Sequence, residues 1–142
     1  MLASRLSVKL RLTLTILLAG CLAACEDGKP IVLQSEIHLN PSGKWAAVLE
    51  EVDNGMGFGQ GALYREVHIV KAGETPEAHG DPSKTVVFYA ESTYGKGKDV
   101  TVEWLSEGNL RIRYDAIQRP GRQLRSYRGI SVDIGPYVEG AR

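Results

Sequence analysis

The chain has 142 residues, 43% of them hydrophobic, and its 17 basic residues balance 17 acidic ones. This length is enough for one domain with a real hydrophobic core. The absence of a basic excess argues against a general nucleic-acid binder, which is basic overall.

Residues 1–24 have the layout of an export signal. Three basic residues, Arg5, Lys9 and Arg11, precede an uncharged apolar run that begins at Leu12, as in secretory signals. The run is too short to span the roughly 30 Å of hydrocarbon in a bilayer. The segment therefore predicts a signal peptide over residues 1–24 and not a transmembrane anchor.

Two cysteines end the segments Leu-Ala-Gly-Cys and Leu-Ala-Ala-Cys, at Cys21 and Cys25. Both segments resemble the lipobox of bacterial lipoproteins. The resemblance implies that one thiol carries a diacylglycerol and that the signal is cut just before it. The protein would then be anchored in a bacterial membrane, inner or outer, with its domain facing the periplasm. Cleavage before Cys25 leaves residues 25–30 as a lipidated polar tether and no spare thiol, which favours Cys25 over the alternative, Cys21.

Beyond the tether, period-two alternation and turn residues predict short strands and no helix. In the first strand, Ile31, Leu33, Ile37 and Leu39 are expected on one buried face. The chain is predicted to be all-β over residues 31–136, a single antiparallel meander that forms a sandwich or an open barrel, with a tail over 137–142. The seven predicted strands run from Ile31 to Leu39, Trp45 to Val52, Leu63 to Lys71, Thr85 to Glu91, Val100 to Trp104, Leu110 to Tyr114 and Ile130 to Ile134.

Two segments, N-P-S-G-K-W at 40–45 and E-W-L-S-E-G-N-L at 103–110, resemble hairpins of Tol-associated β-propeller blades. A chain of this length cannot supply the blades of a propeller, so we infer that the two segments share only the hairpin structure with those blades. Their tryptophans, Trp45 and Trp104, are interpreted as core anchors. The order of motifs over about residues 37–115, which ends in W-L-S-E-x-x-L-x-I-x-Y at 104–114, also resembles a family of small uncharacterised bacterial exported proteins. This resemblance supports the fold and implies no particular activity.

Glycine occupies alternate positions from Gly55 to Gly61. This spacing differs from the G-x-G-x-x-G fingerprint of dinucleotide sites, and a strand rather than a helix is predicted next. The stretch is interpreted as a hairpin loop, or as a partner-contacting loop that presents Met56 and Phe58.

Arginine is frequent in the C-terminal third. Arg111 and Arg113 fit the solvated face of a strand. Together with the later arginines they alternatively indicate a patch that faces anionic headgroups or an acidic partner, with Arg119, Arg122 and Arg125 as candidate binding residues.

No catalytic or metal-binding constellation stands out. His38, His68 and His79 lack zinc spacing, and residues 77–81 are interpreted as a solvated loop. No cofactor is predicted. The sequence therefore indicates a non-enzymatic, membrane-anchored module that binds an envelope protein or another envelope component, inhibitor and immunity types included. The alternative is a small-ligand carrier with a β-barrel cavity.

Overall fold

The structure, a computed structural model, describes residues 30–55, 63–76, 85–91 and 99–138. These ranges contain nine strands and no helix. The strands are β1 (Ile31–Leu39), β2 (Trp45–Asp53), β3 (Leu63–Lys71), β4 (Val86–Glu91), β5 (Thr101–Ser106), β6 (Asn109–Tyr114), β7 (Pro120–Gln123), β8 (Ser126–Tyr127) and β9 (Ile130–Pro136). Within these ranges, no helical segment has the length and apolar character needed to cross a membrane.

The strands form two sheets. The five-stranded sheet has the order β1-β2-β3-β4-β7, and the four-stranded sheet has the order β5-β6-β9-β8. The all-β class and the sandwich are confirmed, and the described strands do not close into a barrel. The single antiparallel meander is wrong in one place, because β9 pairs with β6 in parallel. After β6 the chain crosses to the five-stranded sheet as β7, and it returns to lie beside β6 in the same direction.

The core lies between the two sheets. The five-stranded sheet contributes Ala47, Leu49, Val67 and Ile69 from what we name its inner face, and the facing side chains include Leu110 and Ile112 of β6. Each large apolar side chain buried in this way contributes about 1.5–3 kcal/mol. The alternation of β6 thus points its apolar residues inwards and its arginines outwards, as its period-two pattern predicts.

Two side chains connect the sheets at one end of the sandwich. The indole Nε1 of Trp104 donates a hydrogen bond to the carbonyl of His38, at 2.7 Å. The amide of Asn40, which is only 3% exposed, donates to the backbone carbonyl and to the carboxylate of Glu107, at 3.1 and 3.0 Å. Trp45 and Trp104 both pack against the core, so their interpretation as core anchors is confirmed.

The strand β1 has the predicted bounds, but the side chains that were expected to be buried are exposed. Ile31, Leu33, Ile37 and Leu39 are 58, 55, 69 and 58% exposed. The strand is the edge of its sheet, and a bulge between Val32 and Gln34 interrupts the alternation. Ile37 and Leu39 lie beside Val48 and Ala46, on the outer face, which points away from the four-stranded sheet. The prediction of one buried face is therefore wrong.

Pro120 and Gly121 are residue types typical of loops, and no strand was predicted there, but the segment forms the edge strand β7. Gly121 lies under the ring of Tyr89, where a Cβ atom would come within 2.2 Å of the ring Cζ. Covering an edge glycine by an aromatic ring on the neighbouring strand is a known way of stabilising such a position. This contact with β4 is what converts a turn-like sequence into a paired strand.

Candidate functional site

Large apolar side chains are exposed at eight positions in the described part of the chain, and five of these belong to one strand. Single exposed apolar residues are common on protein surfaces, whereas a concentration of them marks an interaction site. The edge strand β1 is therefore the first candidate site. The eight residues are Ile31, Val32, Leu33, Ile37, Leu39, Leu105, Ile117 and Val138.

Five of these residues, Ile31, Val32, Leu33, Ile117 and Val138, lie at one end of the sandwich. In the five-stranded sheet, β1 begins there and β2 ends there, since Ile31 pairs with Asp53. In the four-stranded sheet, β6 and β9 both end there. We name this the tether end, because the chain enters β1 there from residue 30.

Close to the tether end, an ion pair joins the two sheets, and hydrogen bonds of Tyr137 join segments of the four-stranded sheet. The guanidinium of Arg65 contacts the carboxylates of Glu51 and Asp99, each at 2.5 Å. The hydroxyl of Tyr137 donates to the backbone carbonyl of Asp99 at 2.6 Å, and its backbone N–H donates to the carbonyl of Tyr114. Tyr137, assigned to the tail by the sequence, is thus bonded to both β6 and the segment before β5.

A second candidate site is a buried cluster of charged residues on the outer face of the five-stranded sheet. The Nε2 atom of His68 lies 3.4 Å from a carboxylate oxygen of Glu50 and 3.3 Å from one of Glu66. Its Nδ1 atom lies 2.9 Å from the hydroxyl of Thr85. The pairing of β2 with β3 brings these residues together, because Glu50 lies opposite Glu66 and Val48 lies opposite His68.

Opposing effects act on the pKa of His68. Burial by itself lowers this pKa, but the hydrogen bonds and negative charges of Glu50 and Glu66 outweigh burial and raise it above the ordinary value of 6.5. The cluster therefore stabilises a protonated imidazole between two carboxylates. Because His68 is only 1% exposed, a substrate cannot reach the ring, and the cluster acts on stability rather than on chemistry at a surface.

Sequence reasoning missed this cluster, although Glu66 and His68 alternate with apolar residues on β3 in the sequence. That alternation could have shown that both face the same way. It could not have shown which strand supplies Glu50. No group of three His, Cys, Asp or Glu side chains suited to a metal ion occurs among the residues that the structure describes.

The arginines of the C-terminal third are distributed over both sheets. Arg111 and Arg113 contact Asp133, at 3.4 and 2.6 Å, and the hydrogen bond from Arg113 is the main cause of the lowered pKa of Asp133. They therefore form ion pairs on the outer surface of the four-stranded sheet, as a solvated strand face does.

The three arginines predicted to bind a partner occupy different environments. Arg119 is exposed, just before β7. Arg122 pairs with Tyr89 in the five-stranded sheet, whereas the guanidinium of Arg125 donates to the carbonyl of Ile134 in the four-stranded sheet. Their binding role stays a prediction.

Four other predicted residues, Cys21, Cys25, Met56 and Phe58, lie outside the described residues. The lipidation site and the contact loop thus stay predictions from the sequence.

Comparisons with protein-family models, with curated proteins and with solved structures find no match for this chain. Its function is therefore argued from the residues and their geometry alone.

Proposed function

We propose that this protein is a lipoprotein, anchored in a bacterial membrane through Cys25, whose β-domain is a non-enzymatic binding module for a protein of the cell envelope. The observation that carries the binding role is the row of exposed apolar side chains on β1. The lipobox resemblance carries the anchor. Met56 and Phe58, together with Arg119, Arg122 and Arg125, are proposed as further contacts.

The outer side of β1 is the proposed contact surface for the partner protein. Ile37 and Leu39 lie beside Val48 and Ala46 of β2, and these two residues are buried. The exposed side chains of Ile37 and Leu39 therefore adjoin a buried apolar cluster and are not isolated residues. An edge strand with such side chains suits docking of another chain, because its exposed apolar side chains are available for contact.

The packing between the sheets favours a binding module over a carrier. A carrier needs an enclosed apolar cavity larger than its own side chains fill. Here the described strands form an open sandwich, and the space between the sheets holds fully buried side chains that include Phe88, Ile69 and Leu110. The ring of Phe88 lies 5.4 Å from that of Tyr114, so the largest of these side chains packs against another aromatic ring.

We expect Cys25→Ser to abolish lipidation and to release the protein from the membrane, because a hydroxyl cannot replace the thiol that forms the thioether. Metabolic labelling with palmitate and fractionation of cells measure both effects. Cys21→Ser is the matched control and should leave labelling and fractionation unchanged. Labelling that survives in Cys25→Ser and is lost in Cys21→Ser would show that Cys21, and not Cys25, carries the lipid.

We expect a photo-crosslinking amino acid in place of Ile37 to capture one recurrent envelope protein in living cells. Ile37 is on the exposed edge β1, whereas Glu103 is exposed on β5 of the other sheet and contacts Arg111 on its outer surface. The same crosslinker in place of Glu103 is the matched control and should not form this adduct.

Equal adducts at the two positions, or none at Ile37, would contradict the proposed contact surface. A stoichiometric apolar ligand extracted from the purified protein, without a captured protein, would favour the carrier instead.

A further inference from the structure

We infer that the tether end of the sandwich is a membrane-contacting surface, in which Ile31, Val32 and Leu33, with Ile117 and Val138, enter the interfacial region of the bilayer. The inference rests on the lipid anchor of the proposed function. It differs from the partner site on Ile37 and Leu39, which lie at the other end of β1.

The first argument is the length of chain between the anchor and the domain. Six residue steps separate Cys25 from Ile31, and a fully extended chain covers at most about 20 Å over that length. The tether end of the domain is therefore held close to the lipid headgroups, whatever conformation the tether adopts. Any exposed apolar side chain at this end is within reach of the interface.

The second argument is the placement of the exposed apolar residues. Five of the eight in the described ranges lie at the tether end, and they come from both sheets. Ile31, Val32 and Leu33 begin β1, Ile117 follows the end of β6, and Val138 follows the end of β9. Segments distant in sequence thus bring apolar side chains to the end where the anchor is attached.

The third argument is the order of residues 31–33. Ahead of the bulge, Ile31 lies opposite Asp53 and Val32 lies opposite Val52. These two neighbours therefore point to opposite faces of the sheet, and one rigid partner surface cannot cover both. A fluid interface that surrounds the end of a strand contacts both faces at once. Three consecutive exposed apolar residues therefore fit a lipid environment better than a folded protein.

The charges at this end indicate what kind of contact forms. The described charges there are mixed, since Asp53, Asp99 and Asp115 lie at the same end as Arg65 and Arg119. No basic excess therefore attracts this end to anionic headgroups. The contact is apolar, and it should form equally well in vesicles of zwitterionic lipid. This separates it from a contact made through the arginines, which would require anionic lipid.

The test uses the lipidated mature protein, which begins at Cys25, in vesicles of pure phosphatidylcholine. A fluorescent amino acid with environment-sensitive emission replaces Leu33, and a nitroxide-bearing lipid is added as a quencher. The matched control carries the same amino acid at Leu39, which has similar exposure on the same strand but lies six residues, or about 20 Å, further along. A second pair places the label at Ile117 and at Leu105.

We expect the emission to shift to shorter wavelength and to be quenched by the lipid nitroxide at Leu33 and Ile117, and to do neither at Leu39 and Leu105. A blue shift without quenching at Leu33 would mean that protein, a second copy of this chain included, covers the strand, and would overturn the inference.

Flotation of the vesicles distinguishes failure of the membrane contact from failure of the lipid anchor. If the protein floats with the vesicles and the label at Leu33 reports water, only the membrane contact is overturned. If the protein does not float, the lipid anchor fails and the inference fails with it.

Discussion

Replacing Asn40 by alanine should lower the free energy of unfolding by about 3 kcal/mol, because one buried side chain serves both turns at its end of the sandwich. Its oxygen accepts hydrogen bonds from the backbone N–H groups of Lys44 and Trp45, at 3.0 and 3.1 Å. Its amide nitrogen donates to the carbonyl and the carboxylate of Glu107. Alanine removes all of these bonds while the backbone bonds of the turn remain. Urea unfolding of the purified protein measures the loss as a lower midpoint at constant slope.

Asn40→Asp separates the two halves of this network. The aspartate keeps an oxygen for the N–H groups of Lys44 and Trp45 but faces the carboxylate of Glu107 with a second negative charge. We expect it to be destabilising at neutral pH and to regain stability below about pH 4, where a protonated carboxyl can donate instead.

The control for this site is Asn109→Ala. Asn109 is exposed and donates a single hydrogen bond, to Ser106 at 2.6 Å, so its loss should cost no more than about 0.5 kcal/mol. If Asn40→Ala is no more destabilising than Asn109→Ala, Asn40 does not join the two turns in solution.

Replacing His68 by glutamine should lower the free energy of unfolding by about 3 kcal/mol near pH 6, because it leaves the buried Glu50 and the partly buried Glu66 without their cation. This loss of unfolding free energy should become smaller as the pH rises. The pKa of His68 is raised above its ordinary value of 6.5 in the folded protein, so the folded state binds this proton more tightly than the unfolded chain does. The protonated ring therefore makes its full contribution to the free energy of unfolding below pH 6.5. This contribution is lost as the pH rises through the pKa that His68 has in the folded protein.

Urea unfolding of the wild type and of His68→Gln over a series of pH values checks this sign. The difference between their unfolding free energies should be largest between about pH 5 and 6.5 and should shrink at higher pH. His38→Gln is the matched control, since His38 is partly exposed and contacts Glu36 at 3.7 Å. It should change stability by less than about 1 kcal/mol. A difference for His68→Gln that grows with pH would contradict a protonated ring in the cluster.

Much of the strand pattern could be predicted from the sequence, because it depends on local alternation and turn residues. Pro41 and Gly43 are typical of a turn, and Asn40 donates its backbone N–H to the carbonyl of Trp45, which closes a turn at this place. The strands β2, β3, β5 and β6 lie within one or two residues of their predictions. The strand β7 was missed, since proline and glycine indicate a loop until the ring of Tyr89 covers Gly121.

The candidate sites divide in a similar way. The export signal and the lipidation of Cys25 are predictions from a linear segment that lies outside the described residues, so only the sequence bears on them. The exposure of β1 could not be predicted, because the pattern of Ile31, Leu33, Ile37 and Leu39 is the same for a buried strand and for an edge strand. Which of the two it becomes depends on where the strand lies in its sheet.

By itself the sequence determined the all-β class and most strand bounds, and the lipidation of Cys25 stays a prediction from it. These follow from periods, turns and motifs that extend over a few residues. Only the tertiary structure decided that β9 pairs in parallel with β6, that Glu50 meets His68, and that five exposed apolar side chains gather at the tether end. Each of these results depends on register and strand order between distant segments, and local alternation carries no information about either.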